Sequence, residues 1–249
     1  MGKADLHVHT TYSKDATTTV RGVLKQASLK GLHVIAIADH DEIRGSLEAR
    51  ELASQYNVEV VPGVEVSTQE GHLLALYVDR PMPKGLPMID TLIRIGDFGG
   101  IAIAPHPMNR LPGSLGMEAI VAAMADEKAQ KVLKGIEVYN MGHEIFNEDA
   151  QKYSLFLPLS QVAASDSHVY WTVGAGHTEF PGYTAADLRV ALENFATVAV
   201  PAEYKFTLRP LFSWAGHMLL RKLGYVSENH APQEPVRIQR ISYSPAGDD

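Results

Sequence analysis

The chain has 249 residues, 45% of them hydrophobic and 20% charged, a balance that excludes a disordered chain and suits one large domain, or one domain with a small appendage. It has no cysteine, which excludes disulfides, zinc–thiolate sites and thiol nucleophiles, so any bound metal must be held by imidazole and carboxylate. With 22 basic and 29 acidic residues the net charge is −7, which argues against non-specific nucleic-acid binding; with no secretory h-region and no apolar run of membrane-spanning length, a cytoplasmic protein is expected.

From Ala4 to about Pro201, short apolar runs alternate with segments of helical periodicity. Leu6 and Val8 open a first strand, and Thr19 is placed to cap a helix that runs to Leu32, with Gly31 near its end. Val34 to Ala38 reads as a continuous apolar strand, followed by a helix from about Ile43 to Tyr56. Val58 to Val66 is strand-like but interrupted at Pro62-Gly63, where the glycine would permit a sharp turn. Leu73 to Val78 is a strand, Met88 to Phe98 a helix ending at Gly99-Gly100, and Ile101 to Ala104 a short buried strand. Met117 to Leu133 is expected to be helical, Ile136 to Tyr139 a strand, Asn147 to Tyr153 a short helix, Leu159 to Ala164 a strand, Ala185 to Phe195 a helix, and Thr197 to Val200 the last strand.

Near-continuous apolar strands alternating with helices indicate a parallel sheet covered by helices, either closed as a barrel or open and doubly wound. The character changes after residue 202. Residues 203–249 are expected to form a C-terminal helix, around Leu208 to Leu223, and a loose polar tail. Phe212, Trp214, Met218 and Leu219 beside basic residues would suit a membrane surface or a second subunit, but a helix packed on the barrel is the ordinary expectation.

Histidine placement carries the chemistry. Of 11 histidines, His7, His9, His40, His72, His106 and His168 fall at strand ends or in the turns beside them, where the sites of α/β barrels are built. His7-Val8-His9 sets two imidazoles on one face of a strand, either as a metal pair or as polar residues on a solvated face. Asp39-His40-Asp41, Glu65, His106 between two prolines, and Asp166-Ser167-His168 recur at the same place relative to their strands, which favours the metal site. Asp5 and Asp39 are close enough in sequence to orient ligand imidazoles, Asp41 is equally well a helix N-cap, and Glu137 and Asn140 end a strand facing the same mouth. Arg110 could bind a substrate phosphate as a fork, or be a solvated loop cation; His143 and His177 lie in plausible loops, and His33, His217 and His230 read as structural or exposed.

The segments Asp5-Leu6-His7-Val8-His9-Thr10, Ala38-Asp39-His40-Asp41, Gly63-Val64-Glu65-Val66-Ser67, Pro105-His106-Pro107 and Ser165-Asp166-Ser167-His168 resemble, in order, the signature series of the polymerase and histidinol phosphatase (PHP) superfamily. The resemblance implies an α/β fold, a distorted (β/α)7 barrel over residues 1–202 with a short C-terminal helical extension, and up to three divalent ions per chain, Mn, Fe or Zn. By it, His7, His9, Glu65 and Asp166 hold one metal; Glu65 bridges to a second that takes His72 and His106; and Asp15, His40 and His168 hold a third. A solvated acid at Asp15 and a surface imidazole at His72 remain ordinary alternatives. Glu65, Asp166 and His168 are assigned as the catalytic members and Arg110 as substrate-binding. The expected reaction is hydrolysis of a small phosphomonoester by a metal-bridging hydroxide, since no nucleophile-elbow pattern is present. A nuclease or phosphodiesterase, a related barrel hydrolysing a non-phosphate bond, and a metal-binding barrel with a non-catalytic partner role are the alternatives, and the sequence leaves the oligomeric state open.

Overall fold

The computed structural model describes residues 1–108, 112–142, 147–201 and 209–223. The strands are β1 (Gly2–Val8), β2 (Val34–Ile37), β3 (Glu59–Ser67), β4 (His72–Leu76), β5 (Ile101–Ala104), β6 (Leu133–Asn140), β7 (Ser160–Ala164), β8 (Gly176–Phe180) and β9 (Val198–Pro201). The helices are α1 (Val20–Leu29), α2 (Arg44–Leu52), α3 (Met88–Asp97), α4 (Met117–Ala125), α5 (Asn147–Ser154), α6 (Ala185–Glu193) and α7 (Arg209–Lys222).

All four residues of β2, and of β5, are buried, because each strand is covered on both faces. One sheet runs in the order β7-β6-β5-β4-β3-β2-β1-β8-β9. Its open side is nearly closed: Val8 bridges Ser167 beyond the ends of β1 and β7, and Thr178 Oγ1 on β8 donates to Ala163 O and accepts from Ala163 N on β7. The seven expected strands are β1 to β7, to which an unforeseen antiparallel strand, β8, and the foreseen β9 are added alongside β1.

The sheet is mixed rather than parallel. β4 runs antiparallel to both neighbours; only residues 68–71 connect it to β3, too few for a parallel crossover. The first half of β3 pairs with β2 as far as Pro62, and the second half pairs with β4 from Gly63 onward, so β3 changes partner instead of breaking. Gly63 makes no sharp turn. It permits close approach, since a Cβ there would lie 2.9 Å from Leu76 and 3.0 Å from the Ala75 carbonyl oxygen. The expected Met117–Leu133 helix also divides: α4 stops at Ala125, Asp126 accepts from the Lys128 and Ala129 amides to start a 3-10 turn, and Leu133 already belongs to β6.

Ala4, Leu6, Val34, Ala36, Val61, Leu74, Leu76, Ile101, Ile103 and Val162 form one apolar cluster with Leu188, Ala191 and Leu192 of α6. α6 lies across the N-terminal ends of the strands, where Ser160 Oγ donates to Leu192 O and Ala185 N donates to Glu59. Thr184 caps it through a full capping box with Asp187. Two further apolar clusters pack α1 to α4 against the sheet. With one end filled by α6, the C-terminal strand ends are left to carry polar side chains. No described helix is long and apolar enough to cross a membrane.

Candidate metal centre

Val8 turns into the apolar cluster with Val23 and Leu24 of α1, so His7 and His9 on either side of it face away from that helix, with ring centroids 5.0 Å apart. The β1–β2 register shifts between Asp5 and Val8, and the β6–β7 register between Glu137 and Tyr139, irregularities that re-aim side chains at a barrel rim. Asp41, His106 and Asp166 sit just past strand ends with φ of 53°, 29° and 50°, a left-handed conformation costly for side chains other than Asn, Asp and Gly.

The nine expected ligand residues all converge. His7 Nε2 and His9 Nε2 are 3.0 Å apart, and each lies 3.2–3.4 Å from both Glu65 Oε2 and Asp166 Oδ1. Donor atoms ~3.2 Å apart have the spacing of imidazole and carboxylate ligands that would each lie ~2.0 Å from one zinc-sized ion. Glu65 Oε2 is buried and receives no well-aligned hydrogen bond, although it is 3.0–3.3 Å from nitrogens of His7, His9 and His40. A buried carboxylate oxygen without a hydrogen bond, ringed by imidazole nitrogens, fits a shared cation.

The other Glu65 oxygen faces a second group, with Oε1 2.9 Å from His72 Nδ1 and 3.2 Å from His106 Nε2. Asp15 Oδ2 is 3.5 Å from His40 Nε2 and 3.4 Å from His168 Nε2, and Asp15 Oδ1 is buried without a hydrogen-bond partner. Among the described residues four overlapping triads have ligand spacing: His7–His9–Asp166, His7–Glu65–His106, His40–Glu65–His72 and His9–His40–His168, with Asp15 in none of them. The donors are nitrogen and oxygen only, a set that Mn, Fe and Zn all accept.

Supporting bonds fix the imidazole tautomers. His7 Nδ1 donates to Glu137 Oε1 at 2.9 Å, leaving the Nε2 lone pair for the centre. His168 Nδ1 donates to the Asp166 carbonyl at 3.0 Å, with the same result. His9 Nδ1 lies 3.2 Å from Ser13 Oγ, which also accepts from the His40 amide. Glu137 Oε2 accepts from the His106 amide and from Asn140 Nδ2, and Asn140 Nδ2 also reaches Asp166 Oδ2 at 3.3 Å.

Charge follows from this packing. Burial pushes the His7 imidazole down, but Asp166, Glu137 and Glu65 overcome it and hold His7 well above the usual range. Burial raises the Glu65 carboxyl, yet His7, His106 and His40 hold it well below its usual range. Burial likewise opposes protonation of His40 and His168, but Asp15 with Glu65 raises His40 to about 10, and Asp15 with Asp166 raises His168 to about 9. His9 goes the other way, to about 3, driven by burial and the neighbouring His168. Carboxylates inside a ring of imidazoles thus call for positive charge, which protons or divalent ions can supply at the same lone pairs.

Several sequence expectations change. Asp5 and Asp39 touch no ligand imidazole ring: Asp5 accepts from Ser165 N and Oγ, Gly174 N and, at 3.5 Å, the His7 amide, and Asp39 accepts from Thr10 N and Oγ1 and Ser13 N. Burial raises both carboxyls to about 6 against those bonds, and their work is to tie the loops of the rim. Asp41 does not cap α2, which begins at Arg44 without a side-chain cap; it accepts from Ser67 N and Oγ. His177 lies on β8 rather than in a loop, beside Glu179. Arg110, His143 and His230 lie outside the described residues, as does most of the expected tail. The orienting role of Glu137 and a packing role of Gly113 were not foreseen: Gly113, at φ +90°, lies so close to the His72 ring that a Cβ would approach it to 2.6 Å. An acid inside the apolar run Ile136–Tyr139 was the available signal for Glu137.

Residues 5–83 match the PHP domain family model, and residues 144–197 match a PHP-associated model. The uncharacterized protein MJ1587 of Methanocaldococcus jannaschii is 39% identical over 151 residues, 57% of this chain and 83% of that protein. The phosphoribosyl 1,2-cyclic phosphate 1,2-diphosphodiesterase of Eggerthella lenta is 40% identical over 85 residues, and the 5'-3' exoribonuclease of Haemophilus influenzae 38% identical over 93. Those matches cover 32% and 36% of this chain, and 32% and 34% of the two enzymes, about a third of their length. In fold the chain is similar to a two-domain protein from Bacteroides vulgatus containing a predicted PHP-like metal-dependent phosphoesterase, with a TM-score of 0.65, 19% identity, and 85% of this chain and 69% of that one covered.

Proposed function

This chain belongs to the PHP domain family, and we propose that it is a metal-dependent phosphoesterase whose three ion positions, assembled from the nine residues above, act on the terminal phosphoryl group of a small phosphorylated molecule. The observation that carries the substrate class is the one-sided opening of the site. His7, His9 and Glu65 are fully buried, and Asp166 and His106 nearly so, whereas the side chains of His40, His72, His168 and Asp15 are 30, 22, 26 and 42% exposed. Among the described residues those four mark the open face of the site, and a terminal phosphate on a small body suits entry past them. The net charge of −7 disfavours long polyanions.

Divalent ions held there would lower the pKa of bound water and neutralise phosphoryl oxygens. The residues of the chain supply the frame for that chemistry. Glu65 offers one oxygen to each of two positions, which fixes their separation. Asp166 and His168, one residue apart on the same turn, face different positions, so both move with β7. His40 presents Nδ1 to Glu65 and Nε2 to Asp15, and is the candidate to hold or release a proton at the open face.

Mn, Fe and Zn remain equivalent choices for this donor set. A second reading, hydrolysis of a phosphodiester, is favoured by the names of two relatives, a diphosphodiesterase and an exoribonuclease. One experiment separates the readings. Metal content is measured on the purified chain and on His9→Ala, and both are assayed against phosphomonoesters, cyclic and dinucleotide diesters, and short oligonucleotides. Bound metal with monoesterase turnover, both lost in His9→Ala, is expected. Turnover of diesters alone would replace the monoester reading with the second, and activity unchanged in His9→Ala would refute the metal mechanism.

A further inference from the structure

α7 meets the candidate centre at Trp214, whose indole Nε1 donates to the backbone carbonyl of Asp15 at 2.6 Å, across 199 residues of chain. Asp15 is the most exposed of the nine ligand residues and sits at the tip of the loop between β1 and α1. That loop is pinned at its two ends, by Thr11 N to Thr18 O and by Thr17 N to His168 O, both 2.9 Å. Between those anchors the tip carries the carboxylate, and the indole holds its main chain.

Trp214, His217 and Met218 are half-buried and share one face at the i, i+3, i+4 spacing, while Phe212, Leu219, Leu220 and Leu223 are exposed. This hydrogen bond ties α7 to the loop that carries the Asp15 carboxylate.

We propose that Trp214 is a positioning residue for the ion site made by Asp15, His40 and His168, so that docking of the C-terminal helix and occupancy of that site are coupled. The inference rests on the reading of those three residues as metal ligands. Linkage makes the coupling reciprocal: an ion that orders Asp15 stabilises the docked helix, and loss of the helix contact weakens the ion. The other two positions, built on His7, His9, Glu65, His72, His106 and Asp166, touch no part of α7 among the contacts described, and stay independent of it.

The test is Mn2+ binding by equilibrium dialysis with metal analysis, on the full chain, Trp214→Phe and Asp15→Asn. Trp214→Phe keeps the aromatic body and removes only the N–H. The equivalent that Asp15→Asn abolishes should bind on the order of fivefold more weakly in Trp214→Phe, the worth of one net hydrogen bond, with the remaining equivalents unchanged. In the unmutated chain, hydrogen exchange of the 209–222 amides should slow on adding Mn2+, and Asp15→Asn should remove that slowing. Unchanged Mn2+ binding in Trp214→Phe, or exchange indifferent to Mn2+, overturns the coupling even if Asp15→Asn loses its equivalent. If Asp15→Asn keeps every equivalent, the ligand reading of Asp15 falls as well.

Discussion

Replacing Glu137 by glutamine changes one oxygen to an amide nitrogen and tests whether the centre depends on imidazole tautomer. Both carboxylate oxygens are committed: Oε1 accepts from His7 Nδ1 at 2.9 Å, and Oε2 accepts from the His106 amide at 2.7 Å and from Asn140 Nδ2 at 2.8 Å. A glutamine has one acceptor oxygen, so its NH2 must meet a donor on one side or the other. If the oxygen stays with His106 and Asn140, the NH2 faces His7 Nδ1, which must give up its proton. That proton then sits on Nε2, the atom 3.3 Å from Glu65 and 3.4 Å from Asp166, and blocks the lone pair meant for the ion. If the glutamine flips, the buried His106 amide is left facing an NH2, at ~1–3 kcal/mol. Either way ion affinity at the His7 position should fall ~10–100-fold. The assay is competition with a fluorescent chelator for Zn2+ or Mn2+, beside urea unfolding to record the stability change. Affinity within twofold of the unmutated chain would refute the tautomer argument.

Gly113→Ala should release the ion at His72. A Cβ there would lie 2.6–3.0 Å from three atoms of the His72 ring, at a φ of +90°, so the ring must shift by ~0.5–1 Å to reach ordinary contact; loss of about one ion per chain by mass spectrometry checks this, and a full complement would refute it. Asp5→Asn should destabilise folding by ~1–3 kcal/mol, because even with its oxygen accepting from the Ser165 hydroxyl and the Gly174 amide its NH2 faces the Ser165 amide, while ion affinity per folded molecule changes little; urea unfolding with parallel dialysis separates the two. Ion uptake should rise with pH. His40 and His168, raised to about 10 and 9, are protonated at neutral pH without metal, so their stabilising contribution is full below ~6.5 and fades as pH climbs through 9 to 10. An ion displacing those protons should therefore bind about tenfold tighter per pH unit for each proton released, between about pH 6.5 and 9. Calorimetry in two buffers of different ionisation heat should show proton release, and none would contradict the charge balance of the cluster.

Much of the fold was legible because it is written in local periodicity. β2 and β5 are short continuous apolar runs, and Thr19 before an amphipathic segment marks a helix start in any context. The candidate ligand residues were legible for a related reason. His7, His40, Glu65, His106 and Asp166 each lie at or just past the C-terminal half of a strand, and barrel closure brings such ends together however far apart they are in sequence. What sequence could not carry is the partner of each group. β8 alternates as Gly-His-Thr-Glu-Phe, a weak pattern on its own, and becomes a strand because β1 and β9 supply its hydrogen bonds. Pro62-Gly63 reads as a break locally, yet the pair marks an exchange of neighbours that only the assembled sheet defines.

The identity and spacing of the nine candidate ligand residues were therefore determined by the sequence alone, since side-chain chemistry and strand position are both local. Their orientation was decided by the tertiary structure. Whether His7 offers a lone pair depends on Glu137, 130 residues away, and the main chain of Asp15 is held by Trp214, 199 residues away. A hydrogen bond is a relation of distance and angle between two groups, and for groups so far apart along the chain it exists only once the barrel has closed.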